Sequence, residues 1–363
     1  MDKIKWGVAS TILAPTRDIL AFAAYHLAAG AHRLYIYLDA PNPEAYALLD
    51  AHSKVRVITC DAAYWKQRKR VRPETHQVRQ TANATHAYNR RPEVDWLIHM
   101  DADEFLVADR PVAELLGQRP AHPVATRIRP MEQLSGSASV YKAFVPNGPD
   151  RARIVSDIYP TYGQYLKGGF LSHLAGKVFV RTGLPSVHVR IHNVFQNGDM
   201  MPCEDRQSGI DLAHAHAKSW QDWIDAYRYR ITKGSYRPEL GPNKPYERGG
   251  LSMNDLFMMI ETEAGEAGLR REREVHCRVE VRIVRPDDRI LRPLHADHAR
   301  LDTHVVDLDD HVFAGLVGGF AASGALGRAG AGKGQAEDQR SRAQQKGTHY
   351  SRLLLRFQSG PTR

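Results

Sequence analysis

Cysteine is scarce in this sequence: three residues in 363, Cys60, Cys203 and Cys277, stand far apart with no C-x-x-C spacing. That pattern excludes a disulfide framework and a thiolate zinc site, and it predicts reduced, ordinary thiols. Long apolar runs are missing as well. With no stretch of roughly 18 apolar residues, no segment has the make-up of a membrane-spanning helix. The first residues, Met1-Asp2-Lys3-Ile4-Lys5-Trp6, lack the apolar core of a signal peptide, so a cytoplasmic location is expected. Nor does a glycine follow the first predicted strand, in Ser10-Thr11-Ile12-Leu13-Ala14, where a glycine-rich cradle for phosphates would sit.

What is present is an ordinary globular composition, 42% hydrophobic and 25% charged, in a chain long enough for one large α/β domain or two smaller ones. The net charge of +9 raises the question of nucleic acid, and its placement answers it. Residues 321–363 hold eight Lys or Arg against Glu337 and Asp338, and so carry +6 of the +9. The rest of the chain shows no zinc finger, RNP-like motif or basic helix repeat, so nucleic acid is not an expected partner. Residues 316–363 are dominated by Gly, Ala, Gln and Arg, cannot bury enough apolar surface to fold alone, and read as a disordered basic tail. Within it, 350–357 has the pattern of a short basic amphipathic helix, suited to peripheral contact with the inner face of a membrane.

Elsewhere strand and helix patterns alternate. Strands are predicted at 4–10, 34–39, 55–59 and 96–100, and helices at 18–29, 44–51 and 74–88. This alternation predicts an α/β fold with a mostly parallel central sheet and helices on both faces. The basic stretch at 64–91 reads as a solvated face, or as a positive lip over a phosphate-bearing ligand. Further on come a short helix at 112–116 and a strand at 124–129. An irregular stretch at 131–169 follows, too long for a simple connection and therefore a candidate substrate loop. A late pair of strands at 176–181 and 187–192, a loop at 197–211 and a helix at 220–231 complete a main domain over 1–235. A C-terminal extension over 236–315 carries a predicted helix at 251–267 and strands within 275–291, without a motif.

The stretch Val94-Asp95-Trp96-Leu97-Ile98-His99-Met100-Asp101-Ala102-Asp103-Glu104-Phe105-Leu106 organises the rest. A short apolar run with the length of a buried parallel strand ends in acids, at the edge where such sheets bind ligands. Asp101 and Asp103 can converge on a hard divalent cation that also holds a diphosphate; read alone, a D-x-D is more often a turn cap. Asp39 and Asp61 end the second and third strands, so a parallel sheet brings all four acids to one edge. Oxygen ligands of this kind suit Mn²⁺ or Mg²⁺. His214-Ala215-His216 is a second signal: in an extended segment both imidazoles point the same way, as metal ligands or as ordinary surface residues.

Together these residues resemble the family 2 glycosyltransferases, in the branch near family 92, with a GT-A nucleotide-diphospho-sugar transferase fold. The resemblance rests on Phe22-Ala23-Ala24-Tyr25-His26-Leu27 running into Leu34-Tyr35-Ile36-Tyr37-Leu38-Asp39, on Gln80 and Asn83, on the D-x-D-E-F block, on Gly176-Lys177 and on His214-x-His216-x-Lys218-Ser219. It implies that Asp101 and Asp103 bind the metal and the donor's diphosphate, with His214 or His216 as a later metal or phosphate contact. It further implies that Asp39 contacts the nucleoside, that Thr11, Gln80 and Asn83 lie on the donor side, and that Lys177 offsets charge on the leaving diphosphate. The sequence departs from the pattern at Asp18, where Glu is usual, and at Pro41-Asn42-Pro43-Glu44 after the second strand.

The implied partners are a UDP- or GDP-linked sugar and a glycan, lipid-linked or protein acceptor, as in polysaccharide biosynthesis. An inverting transferase also needs a carboxylate to take the acceptor's proton; Glu204 and Asp205 are candidates by type, with Asp211 behind them. Two rivals share the sheet: a nucleotidyltransferase making nucleotide sugars, against which the missing glycine loop counts, and an inert GT-A-like binding module, against which the retained Asp101 and Asp103 count.

Overall fold

The computed structural model describes residues 3–273, apart from 91, 134–140, 161, 173, 204–208, 216–218 and 243. These residues lie within one compact unit, 1–307; residues 308–363 and the strands expected within 275–291 fall outside the described residues.

Strands β1 (Trp6–Ile12), β2 (Arg33–Leu38), β3 (Val55–Thr59) and β4 (Trp96–His99) run parallel, β1 pairing with β2 and β4, and β2 with β3. Between them lie α1 (Thr16–Ala28), α2 (Pro43–Asp50), α3 (Ala62–Gln67) and α4 (His76–Asn89). Local chemistry sets two of the helix starts. Asn42 Oδ1 accepts from Ala45 N at 3.0 Å, and Asp61 Oδ1 accepts from Tyr64 N at 2.8 Å. Helix α3 departs from the expectation of a merely basic stretch at 64–91.

The sheet is buried on both faces. In β2, Leu34, Ile36 and Leu38 join Phe22 of α1 and Leu49 of α2, whereas Tyr35 and Tyr37 join Trp65, Ala84 and Tyr88 of α3 and α4. Alternate side chains therefore enter two different cores, and the strand is a continuous apolar run instead of an alternation.

After β4 the chain turns through Asp101-Ala102-Asp103 into β5 (Glu104–Ala108), then α5 (Val112–Gly117) and β6 (Ala125–Gln133). The stretch 131–169 is less irregular than expected: it ends β6 and adds β7 (Tyr141–Lys142) and α6 (Arg151–Ile158). The two late strands are not a pair. β8 (Lys177–Arg181) lies between β4 and β6, antiparallel to both, whereas β9 (Val187–Val189) forms a small sheet with β10 (Val194–Gln196) and β11 (Asp199–Met200). The loop expected at 197–211 contains β11 and runs into β12 (Ile210–His214), parallel to β6 and antiparallel to β5. Among the described residues the main sheet has the order β3-β2-β1-β4-β8-β6-β12-β5, with β7 on β6. The expected α/β architecture holds, with β5, β7 and β8 the antiparallel members of a mostly parallel, curled sheet.

Helix α7 (Trp220–Thr232) starts at Ser219, whose Oγ accepts from Asp222 N at 3.0 Å; α8 (Met253–Arg273) is interrupted at Gly265. The Trp223 and Tyr227 rings stack at 5.3 Å and pack with Leu256, Phe257 and Ile260 of α8 and with Ile158, Tyr159 and Leu166. This aromatic cluster holds α7 and α8 against the segment that precedes β8. Among the described residues no helix is long and apolar enough to cross a membrane.

Candidate functional site

Because β1 to β4 are parallel, Asp39, Asp61 and Asp101 come to the same edge of the sheet. Asp61 is spent there on capping α3. The acidic turn after β4 is closed reciprocally: Glu104 N donates to Asp101 O at 3.1 Å, and Asp101 N donates to Glu104 Oε2 at 2.8 Å. Glu104 is therefore a structural partner of Asp101, a role its place in the motif leaves open.

Lys177 reaches this turn from β8. Its ammonium lies 2.6 Å from Asp101 Oδ2 and 3.2 Å from Glu104 Oε2, and the side chain is wholly buried. Gly176 makes this approach possible. It has φ +63°, and a Cβ there would stand 2.0 Å from the Ile128 carbonyl oxygen in β6. Gln80 of α4 donates to the other oxygen of Asp101, so two elements, β8 and α4, converge on one carboxylate. Burial alone would raise the Asp101 carboxyl, but the Lys177 charge outweighs it and holds the group ionised, below the usual carboxylate range. Glu104, almost fully buried, is pushed up by desolvation against the pull of Lys177. Burial disfavours the charge on Lys177, yet the two carboxylates keep it protonated.

Asp103 faces the other way. Its side chain is 39% exposed, and its Oδ2 lies 3.4 Å from Nε2 of His214, the last residue of β12. The register explains the meeting: His214 stands opposite Glu104 in β5 and Glu132 in β6, and Ala215 N donates to Asp103 O at 2.8 Å. Desolvation acts on both groups, and their mutual attraction wins, lowering the Asp103 carboxyl and raising the His214 imidazole. His216 lies outside the described residues.

Among the described residues no three His, Cys, Asp or Glu side chains gather into a metal cage. Asp103 and His214 nevertheless present one oxygen and one nitrogen side by side. Small hard divalent cations are held by one or two carboxylates, with phosphate oxygens and water completing the shell; Asp103 fits that mode, and His214 joins it once its imidazole gives up the proton shared with Asp103.

The other sequence candidates are engaged elsewhere. Asp39, 4% exposed at its side chain, is gripped by Arg79 Nε at 2.9 Å from both carboxylate oxygens and by Arg72 at 3.0 Å. Arg72 is 44% exposed, so Asp39 holds a cation at the mouth of this edge. Neither arginine is singled out by sequence; the basic character of 64–91 is the signal that could have found them. Asn83, wholly buried, donates to Thr11 Oγ1 at 3.1 Å and accepts from Tyr64 OH at 2.6 Å, tying α4 to β1 and α3. Glu204 and Asp205 lie outside the described residues, and Gly209, described next, leads into β12 at the end away from His214. Asp211 lies inside β12, paired in register with Arg129 of β6 and Val107 of β5.

Residues 14–132 match the model of glycosyltransferase family 92, a span that includes Asp39, Gln80, Asn83 and the whole acidic turn but not Lys177 or His214. The resemblance carried by the motifs is thus a family likeness, and the chain is an enzyme of glycosyl transfer. Comparison with curated proteins finds no match. Among solved structures, HddC from Yersinia pseudotuberculosis is similar over 49% of this chain and 77% of its own, at 9% identity and a TM-score of 0.28, a level that supports no inference about function.

Proposed function

We propose that this glycosyltransferase moves a sugar from a UDP- or GDP-linked donor to an acceptor hydroxyl with inversion, and that Mn²⁺ or Mg²⁺ holds the donor's diphosphate against Asp103 and His214. The observation that carries the reading is the exposed Asp103 carboxylate beside His214, at the end of the sheet where Asp101 is already charged and fixed. When bound, the cation neutralises the charge that develops on the leaving diphosphate. Lys177, Gln80 and Glu104 keep the acidic turn rigid, so that Asp103 meets the donor without rearrangement. Arg72, held by Asp39, supplies positive charge on the donor side; Thr11 and Asn83 serve the same side by fixing α4 against β1. Proton removal from the acceptor hydroxyl is the role proposed for Glu204 or Asp205.

A hydrolysis assay with a panel of nucleotide sugars and Mn²⁺ tests the reading. Free UDP or GDP is expected from at least one donor, and none from Asp103→Ala. No release from any donor, or equal release by the variant, overturns it; pyrophosphate made from a nucleoside triphosphate and a sugar phosphate instead identifies a nucleotidyltransferase.

A further inference from the structure

A cavity of about 550 Å³ opens beside His214. All of its lining residues lie between 129 and 253, so none comes from β1 to β4 or from the acidic turn. Four of them are cationic, Arg129, Arg151, Lys167 and Arg230, and among the described lining residues none is acidic.

Aromatic faces steady three of these cations. The Arg129 guanidinium lies 4.8 Å and that of Arg151 5.6 Å from the Phe144 ring centre, and Arg230 lies 5.9 Å from that of Tyr236. The acid closest in register, Glu132 opposite His214, is consumed by Lys142 at 2.8 Å and by the backbone N–H groups of Leu171 and Ser172. Arg151 donates from Nη1 to Asn147, but its Nε and Nη2 are buried with no hydrogen-bond partner among the described residues, and so is the hydroxyl of Ser172 in the same lining. The unsatisfied donors of Arg151 and Ser172, beside the positive charge of Arg129, Lys167 and Arg230, are the counterpart of an oxyanion.

We infer that this cavity binds an oxyanion of the acceptor, a phosphate or a carboxylate, and so selects acidic acceptors over neutral sugars. The inference rests on the transferase reading, because His214 joins the cavity to the donor side. The donor's own diphosphate is the rival occupant. It is disfavoured because, among the described lining residues, only His214 is shared with the donor side, and β1 to β4, α4 and the acidic turn contribute nothing.

Calorimetric titration of the full chain with inorganic phosphate and with glucuronate, each with and without saturating UDP and Mn²⁺, tests the inference. At least one of the two anions is expected to bind equally well with the nucleotide present. Arg151→Gln is expected to weaken that anion about tenfold, and Lys167→Gln, on an exposed side chain that does not threaten folding, a few-fold, while both leave UDP affinity unchanged. Which anion binds separates the phosphate from the carboxylate source. Competition between anion and UDP, or equal weakening of UDP by the variants, overturns the inference and gives the cavity to the donor. No binding of either anion, or binding insensitive to both variants, also overturns it. Absence of UDP binding alone would count against the transferase reading, whereas the anion titration without nucleotide still decides the cavity.

Discussion

Replacing Lys177 by Met keeps most of the buried stem and removes a charge that sits 2.6 Å from Asp101 and 3.2 Å from Glu104. Water cannot substitute for it at Glu104, whose side chain is 2% exposed, but it reaches Asp101, which is 28% exposed. Removing one partner of a buried pair costs about 3–5 kcal/mol, and the access at Asp101 places this case near the lower end, at about 3 kcal/mol. For a domain of this size that is a fall in Tm of roughly 6–12 °C. Thermal unfolding followed by circular dichroism reads it directly. A second substitution, Glu104→Gln, removes a carboxyl that burial pushes up and that must take a proton once Lys177 is gone, and it is expected to recover about 1 kcal/mol or more of the loss, so the two changes are not additive. If Lys177→Met melts within about 2 °C of the parent, the cation is not what holds the acidic turn and the reasoning fails.

Other consequences follow from the same contacts. Lys142, buried against Glu132 at 2.8 Å and Tyr159 at 2.7 Å, locks β7 to β6; Lys142→Met is expected to cost about 3–5 kcal/mol, read from the urea midpoint, and an unchanged midpoint would contradict it. Gly176→Ala has to relieve both a positive φ and a 2.0 Å approach to Ile128 O, and is expected to lose on the order of 2–3 kcal/mol, with a normal urea midpoint as the contrary result. His26, wholly buried, is pushed by desolvation from 6.5 to about 4 and is neutral in the folded chain. Between those two values the unfolded chain binds more protons, so stability present above pH 6.5 is lost as pH falls toward 4, by about 3 kcal/mol in all. Unfolding curves of His26→Leu are expected to be flatter across that window; parallel curves for parent and variant would refute this.

Much of the fold was legible because its signals are local. The runs at β1, β2 and β4 are largely apolar and buried on both faces, and α1 carries Ile19, Leu20, Ala23 and Ala24 at helical spacing, so these elements declare themselves without their neighbours. Helix α3 was hidden because Lys66, Arg68, Lys69 and Arg70 dominate a segment whose buried members are only Tyr64 and Trp65. The strand β5 was hidden because it starts on the acidic turn itself, with Glu104 pointing inward. At the site, residue types were readable and pairings were not. Asp101 and Lys177 are 76 positions apart, and only the insertion of β8 between β4 and β6 brings them together. The same holds for Lys142 with Glu132, whose register across β6 and β7 no periodicity records. The nucleoside contact expected of Asp39 comes from the family resemblance; its arginine partners come from a stretch where charge alone says nothing about position.

Asp103, beside His214, is the proposed anchor of a cation that bridges to a donor's diphosphate. The most direct measurement of that role is the shift in Tm produced by UDP and by GDP, each with Mn²⁺ and with EDTA, in the parent chain and in Asp103→Ala. At a hundredfold excess over Kd a native-state ligand adds about 2.7 kcal/mol, a shift of roughly 5–10 °C. Such a shift is expected for at least one nucleotide, present with Mn²⁺, lost with EDTA and lost in the variant. A shift of equal size in EDTA and in Asp103→Ala would contradict it.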